Sequence, residues 1–183
     1  MSTAEPFRHT LNFIGMIIIY ILALPVGILS AIKQYSVFDY VVTFVTFLGQ
    51  AMPAFWLGLL LVYYVGLRVE WLPLTGIATY GVEFGQVPFA VWFVDRTRYL
   101  ILPVSVVVLT GIAALTRFVR ASMLDVIHQD YIRTAQAKGL PEYTVVLKHA
   151  LRNALLPIIT MFGITLSGLL SGSVVIERTF SLP

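Results

Sequence analysis

Cysteine is absent from the 183-residue sequence, which excludes disulfides, thiolate metal sites and cysteine nucleophiles. Charge is also scarce. Asp, Glu, Lys and Arg together make up 11% of the chain, against about 25% in an ordinary soluble domain, which argues against a water-soluble enzyme. Twelve Lys and Arg stand against nine Asp and Glu, and a formal charge of +3 is too small for the electrostatic footprint of a nucleic-acid binder. No Gly-x-x-x-x-Gly-Lys-Ser/Thr loop occurs, so the chain offers no recognisable seat for nucleotide phosphates. His9, His128 and His149 are dispersed and form no metal-ligand spacing. Ser167 and Ser171 have no placed histidine base, and Asp125 and Asp130 read as decoration of a solvated helix. What the chain does contain is hydrophobic: 58% of its residues are apolar, and the mean hydropathy is +0.89.

The apolar residues collect where charges are missing. Uncharged stretches of 23, 28, 18 and 24 residues lie between His9 and Lys33, Asp39 and Arg68, Arg98 and Arg117, and Arg152 and Glu177. A helix needs about 20 residues to cross a hydrocarbon core of about 30 Å, where no water satisfies unpaired backbone groups. The stretches predict spans at 11–32, 41–65, 99–117 and 154–176 in an all-α integral membrane protein. The third is short, but Arg98 and Arg117 can send their charges to the interface while their aliphatic stems stay apolar. The first is longer than the apolar core of a signal peptide and has only Arg8 as a basic residue before it, so it reads as a retained span. Pro25, Pro53, Pro103 and Pro157 place one proline in each span, which favours a packed bundle in which neighbouring helices cover freed carbonyls. Gly168-Leu169-Leu170-Ser171-Gly172 fits small-residue helix packing.

With Lys33 and 117–152 placed in the cytoplasm, seven basic residues lie inside and five outside, a weak positive-inside bias. Both ends then lie outside, and an earlier span is expected in front of such an N-terminus, so a truncated chain is expected. Residues 66–98, punctuated by Pro73, Gly76, Gly81, Gly85 and Pro88 and carrying Trp71 and Trp92, read as an external loop with interfacial segments.

The most patterned polar region is 118–152. Leu124, Ile127, Tyr131 and Ala135 recur at three- and four-residue spacing, predicting one apolar helix face within Met123 to Lys138. Gly139 can take the left-handed conformation that closes a helix, and Pro141 suits the start of the next. A second helix over 142–151 would cluster Tyr143, Val146, Leu147 and Ala150. The product is a helix, a sharp turn and a helix. The same residues also suit an amphipathic loop lying on lipid, and only a more specific pattern separates the two readings.

That pattern is Tyr131-Ile132-Arg133-Thr134-Ala135-Gln136-Ala137-Lys138-Gly139-Leu140, followed by His149-Ala150-Leu151-Arg152-Asn153-Ala154-Leu155-Leu156-Pro157. It resembles the cytoplasmic signature of bacterial ABC transporter permeases, in the binding-protein-dependent dipeptide, oligopeptide and nickel importer branch. Arg120-Ala121-Ser122-Met123-Leu124, Pro53-Ala54-Phe55-Trp56-Leu57-Gly58, Trp71-Leu72-Pro73 and the terminal Glu177-Arg178-Thr179-Phe180-Ser181-Leu182-Pro183 resemble the same branch. The general signature opens on Glu-Ala-Ala, places Gly four residues after the second Ala, and closes on Ile-x-Leu-Pro. Here Arg133-Thr134-Ala135 stands for the triplet, Gly139 matches, and His149-Ala150-Leu151-Arg152 lacks the proline.

The resemblance implies an ABC importer type I transmembrane-domain fold, partial, with about four of the usual six spans. It implies a non-catalytic transport subunit in the bacterial plasma (inner) membrane, for peptides or nickel. It implies no cofactor on this chain, with ATP-Mg on two cytoplasmic ATP-binding partner subunits. A second permease subunit, an extracytoplasmic solute-binding protein and the lipid bilayer complete the expected partners. Coupling to the ATPase falls by resemblance on Arg133, Ala135, Lys138, Gly139, Leu140 and Glu142. Gln50, Ser105, Thr110, Asn153, Thr160, Thr165 and Ser167 are polar residues in or beside the spans, candidates for a translocation path or for bonds to their own helix backbone. The alternatives are a structural membrane protein and an inactive permease fragment.

Overall fold

A computed structural model describes residues 4–168 and 174–181 of the chain. The apolar runs fold as helices, and the described residues hold no strand beyond an isolated bridge between Phe84 and Val87. Helix α1 runs Ala4–Ile32, α2 Val37–Ala51 and α3 Ala54–Leu61, the last widening into a π-helical turn at Val62–Gly66. A loop leads to α4, Phe89–Ile127, and then to the short α5, Asp130–Ala137. Helix α6, Glu142–Thr144, passes through a second π turn, Val145–Ala150, into α7, Leu151–Gly168, and α8 is Val174–Thr179. Phe7–Ile32, Phe89–Ile127 and Glu142–Ser167 are each long and apolar enough to cross a membrane, and Val37–Ala51 with Ala54–Gly66 qualifies as one bent pair.

Several boundaries differ from those expected. The span expected at 41–65 is two helices bent by 99°. Pro53 has no N–H to continue α2, and its carbonyl starts α3 by accepting from the Leu57 N–H at 3.1 Å. The span expected at 99–117 is a 39-residue helix, so 89–98, expected in the loop, and 118–127, expected in the polar region, are helical. Pro88 opens α4, its carbonyl accepting from Val91 and Trp92, and Asp95, Arg96 and Arg98 bond to the preceding segment. Arg96 donates to the Ile77 carbonyl at 2.9 Å, Arg98 donates to the Trp71 carbonyl at 2.7 Å, and Asp95 accepts from the N–H and Oγ1 of Thr79. Helix α1 starts before residue 11 because Phe7 and Leu11 are buried with Val104. The span expected at 154–176 begins at Glu142. Residues 169–173, with most of the small-residue stretch 168–172, lie outside those described, as does the end of the terminal motif.

Contacts divide the chain into two compact units. In one, residues 4–18, 51–111 and 174–181 gather around Leu72, Leu102, Val106, Ile176 and Phe180. The loop of this unit is tied down further by the Gly76 N–H donating to the Phe180 carbonyl at 3.1 Å. The other unit comprises Ile19–Gln50 and Ile112–Gly168, and the candidate coupling residues lie there. In it, Ala23, Leu115, Val119 and Ile158 pack together. At Gly27, α1 comes so close to α4 that an added Cβ would stand 2.8 Å from the Thr116 carbonyl oxygen. Only glycine permits that approach without displacing a helix.

Candidate functional site

The helix–turn–helix around Gly139 is built by three local decisions. Helix α4 stops at Ile127 because side chains behind it take its last carbonyls: His128 Nδ1 lies 2.7 Å from the Leu124 oxygen and Gln129 Nε2 donates to Asp125 at 3.0 Å. The helix face expected to run from Met123 to Lys138 is therefore interrupted. Asp130 then opens α5, where a carboxylate favours the positive end of the helix dipole. Lys138 closes α5, its N–H bonding to the Thr134 carbonyl at 3.1 Å, and the Gly139 N–H bonds to Gln136 at 2.9 Å. Gly139 has φ +75°, in the left-handed region, with no atom near the place of its missing side chain. Pro141 is extended, and its carbonyl accepts from Thr144 and Val145 to start α6.

One side of this element is core and the other is solvent. Ile132 and Ala135 are buried in a cluster with Ala31 of α1, Met123 of α4, and Val145, Ala150 and Ala154 further on. Residues 136–143 are exposed without a break. Among the residues singled out for coupling, Arg133, Lys138, Gly139, Leu140 and Glu142 are thus presented outward, whereas Ala135 is an inner, packing residue. Arg133 lies 3.7 Å from Asp130, a solvent-facing pair that contributes little to stability and leaves the guanidinium available. Tyr143 and Leu140 add large exposed apolar surface beside the turn.

The second helix does not cluster Tyr143, Val146, Leu147 and Ala150 as expected. Tyr143 and Leu147 are exposed, and Val145 and Ala150 are buried. The π turn supplies the reason: its i→i+5 bonding takes more residues per turn and puts residues five apart on one side, so the buried face reads Val145, Ala150, Ala154, Ile158. Likewise Tyr131, placed by periodicity on the apolar face, is exposed, and its hydroxyl accepts from Asn153 Nδ2 at 2.9 Å.

Each polar residue singled out in or beside the spans has a bonding partner. Gln50 of α2 accepts from Arg117 of α4. Asn153 is held by Tyr131 and by the His149 carbonyl. Ser105, Thr110, Thr160, Thr165 and Ser167 each donate to the carbonyl four residues earlier on their own helix. These bonds are the local role that hydroxyls commonly take in helices.

Sequence reasoning missed a second polar centre in the same unit. Asp39, 2% exposed, accepts two bonds from Arg120, to Nε at 2.6 Å and Nη2 at 2.8 Å, across 81 residues of chain. Ser30 Oγ donates to the same carboxylate at 2.5 Å and the Tyr35 N–H at 3.0 Å. The local signal was present but small: Ser36 caps α2 by accepting from the Asp39 N–H at 3.2 Å, a serine three residues ahead of an acid. Nothing in the spacing points to Arg120.

The family model described as "binding-protein-dependent transport system inner membrane component" matches residues 23–183. The chain is 44% identical to the oligopeptide transport system permease protein AppB of Bacillus subtilis, over 97% of the chain and 54% of that protein. It is 36% identical to the dipeptide transport system permease protein DppB of Escherichia coli, over 97% of the chain and 57% of that protein. The figures for the oligopeptide transport system permease protein OppB of Haemophilus influenzae are 36%, 100% and 55%. The chain spans about half the length of the curated relatives it matches.

Proposed function

We propose a function from one premise: this chain belongs to the family of binding-protein-dependent transport system inner membrane components. It is a multi-pass inner-membrane protein with the all-α type I ABC importer fold, represented in part. Its function is that of a permease subunit in an importer of peptides. The names of its relatives favour peptides over nickel as the substrate. Separate ATP-binding subunits carrying ATP-Mg supply the energy, a solute-binding protein delivers the substrate, and a second permease subunit completes the pathway.

The observation that carries this reading is the two-sidedness of the Gly139 element. Its outer edge, residues 136–143, is an unbroken exposed strip, and its inner side, through Ile132 and Ala135, is packed with Ala31 of α1 and Met123 of α4. A partner gripping the strip at Leu140 and pairing with Arg133, Lys138 or Glu142 therefore pushes on the ends of two membrane helices at once. Close-packed interiors transmit such displacement because they do not absorb it by compression. Arg133, Lys138, Gly139, Leu140 and Glu142 act as the handle, and Ala135 as the small residue that lets α5 sit close to the helices it moves.

The test uses the absence of native cysteine. A single cysteine at Leu140 in the assembled transporter is expected to crosslink to the ATP-binding subunit and to be labelled only from the cytoplasmic side. Labelling from the outside would refute the assignment, and so would an assembled, transport-active complex that gives no crosslink. An inactive-fragment reading is tested in the same preparation, by peptide uptake dependent on ATP.

A further inference from the structure

We propose that the ion pair between buried Asp39 and half-buried Arg120 is a positioning clamp that makes the turn between α1 and α2 part of the moving platform, so that force entering at α5 reaches α2. The proposal rests on the coupling role just assigned to the Gly139 element and extends it to residues that touch neither ATPase nor substrate.

The geometry starts with an asymmetry. Helix α5 packs on the ends of α1 and α4 through Ala31 and Met123, but its core cluster contains no residue of α2. Helix α2 exposes Val37, Phe38, Tyr40, Val41, Phe44, Val45, Phe47 and Leu48, and its buried residues are Asp39 and Thr46. Apolar packing within the unit therefore leaves α2 weakly held. Its attachment is polar, through Asp39 to Arg120 at one end and Gln50 to Arg117 further along.

Asp39 joins three pieces of chain at one carboxylate. Ser30 belongs to the last turn of α1, Tyr35 to the connection, and Arg120 to α4, three residues before Met123 in the α5 cluster. Both oxygens are used, in the two-pronged geometry that fixes orientation as well as distance. Tyr35 has φ +64°, a conformation that a bulky residue seldom adopts, and its N–H is held by Asp39. The turn is held in this backbone state by that carboxylate and by the Ser36 N–H donating to the Lys33 carbonyl at 3.1 Å, so its stiffness depends in part on Asp39. Burial makes the Asp39 carboxylate unfit as a surface contact for a partner, and its four bonds leave it fully occupied.

The experiment measures ATP hydrolysed per peptide imported by the assembled transporter. Asp39→Asn and Arg120→Gln are each expected to leave substrate-stimulated hydrolysis within about twofold of the unaltered complex while import falls by about tenfold. The double variant is expected to lose no more than either single one, because both remove the same link. Import and hydrolysis falling together, unchanged import, or single losses that multiply in the double variant would overturn the clamp. If Asp39→Asn does not assemble, Ser30→Ala keeps the ion pair and removes one bond, and about a threefold loss of import per ATP is expected; no loss overturns the proposal. Spin labels on cysteines at Lys33 and Gln136 give an independent reading. Their separation is expected to stay constant through the ATP cycle and to change with nucleotide only in Asp39→Asn. A nucleotide-dependent separation in the unaltered complex refutes a common rigid platform. The Leu140 crosslink separates the two levels: its absence removes the coupling reading and the clamp with it, whereas a crosslink beside unaltered import in Asp39→Asn removes the clamp alone.

Discussion

Replacing Gly139 isolates backbone strain from every other effect. At φ +75° an L-residue brings its Cβ close to the neighbouring carbonyl, at a cost of about 1–2 kcal/mol. Nothing lies within 4 Å of the position that Cβ would take, so no side-chain clash adds to this figure. Alanine should cost about 1 kcal/mol, and valine, stiffened by β-branching, about 2 kcal/mol. Asparagine, which tolerates the left-handed region, should cost only a few tenths of a kcal/mol. At 1.4 kcal/mol per factor of ten, the equilibrium constant for forming the turn falls about fivefold with alanine and about thirtyfold with valine. Import per ATP should therefore fall in the order glycine, asparagine, alanine, valine. The amount of chain in the membrane should stay level, because Gly139 is exposed and outside the helices long and apolar enough to span. The assay is peptide uptake and substrate-stimulated hydrolysis in vesicles with matched quantities of complex. A flat series would refute the strain argument. Membrane levels that decline in step with uptake would show that the turn serves insertion instead of coupling.

Three further substitutions test the packing. Gly27→Val forces a side chain into the 2.8 Å gaps to the Thr116 carbonyl and Val119, and should destabilise by about 1–3 kcal/mol or more, read as a lower Tm in detergent; an unchanged Tm would refute the close approach. Thr116 is 1% exposed and its hydroxyl has no partner among the described residues, so Thr116→Val should leave Tm unchanged or raise it, and a clear fall would show that the hydroxyl is in use. Arg98→Ala frees the Trp71 carbonyl and should speed protease cleavage within 67–88 without altering the helices; an equal cleavage rate would mean that Arg98 does not hold the loop.

Legibility followed how local each cause is. The uncharged stretches are a one-dimensional property, and every one of them became helix over most of its described length. The turn at Gly139 was legible for the same reason, since a glycine followed two residues later by proline restricts the backbone wherever the chain lies. Helix ends were less legible. Asp95, Arg96 and Arg98 look like loop residues in sequence, yet they lie on α4 because backbone groups at Ile77, Trp71 and Thr79 come to meet them. The π turn at Val145–Ala150 shifted the buried face of the second helix, and a pattern read at ordinary helical pitch assigned Tyr143 and Leu147 to the wrong side.

The order of residues alone determined that this chain is helical and apolar, and that its most patterned polar element holds a sharp turn at Gly139 between two helices, because hydrophobic length and backbone restriction act within a few turns of chain. Tertiary structure alone decided that α5 docks on the ends of α1 and α4, and that Asp39 meets Arg120. A carboxylate and a guanidinium 81 residues apart have no spacing rule between them; only the folded path of the intervening helices brings them within bonding distance.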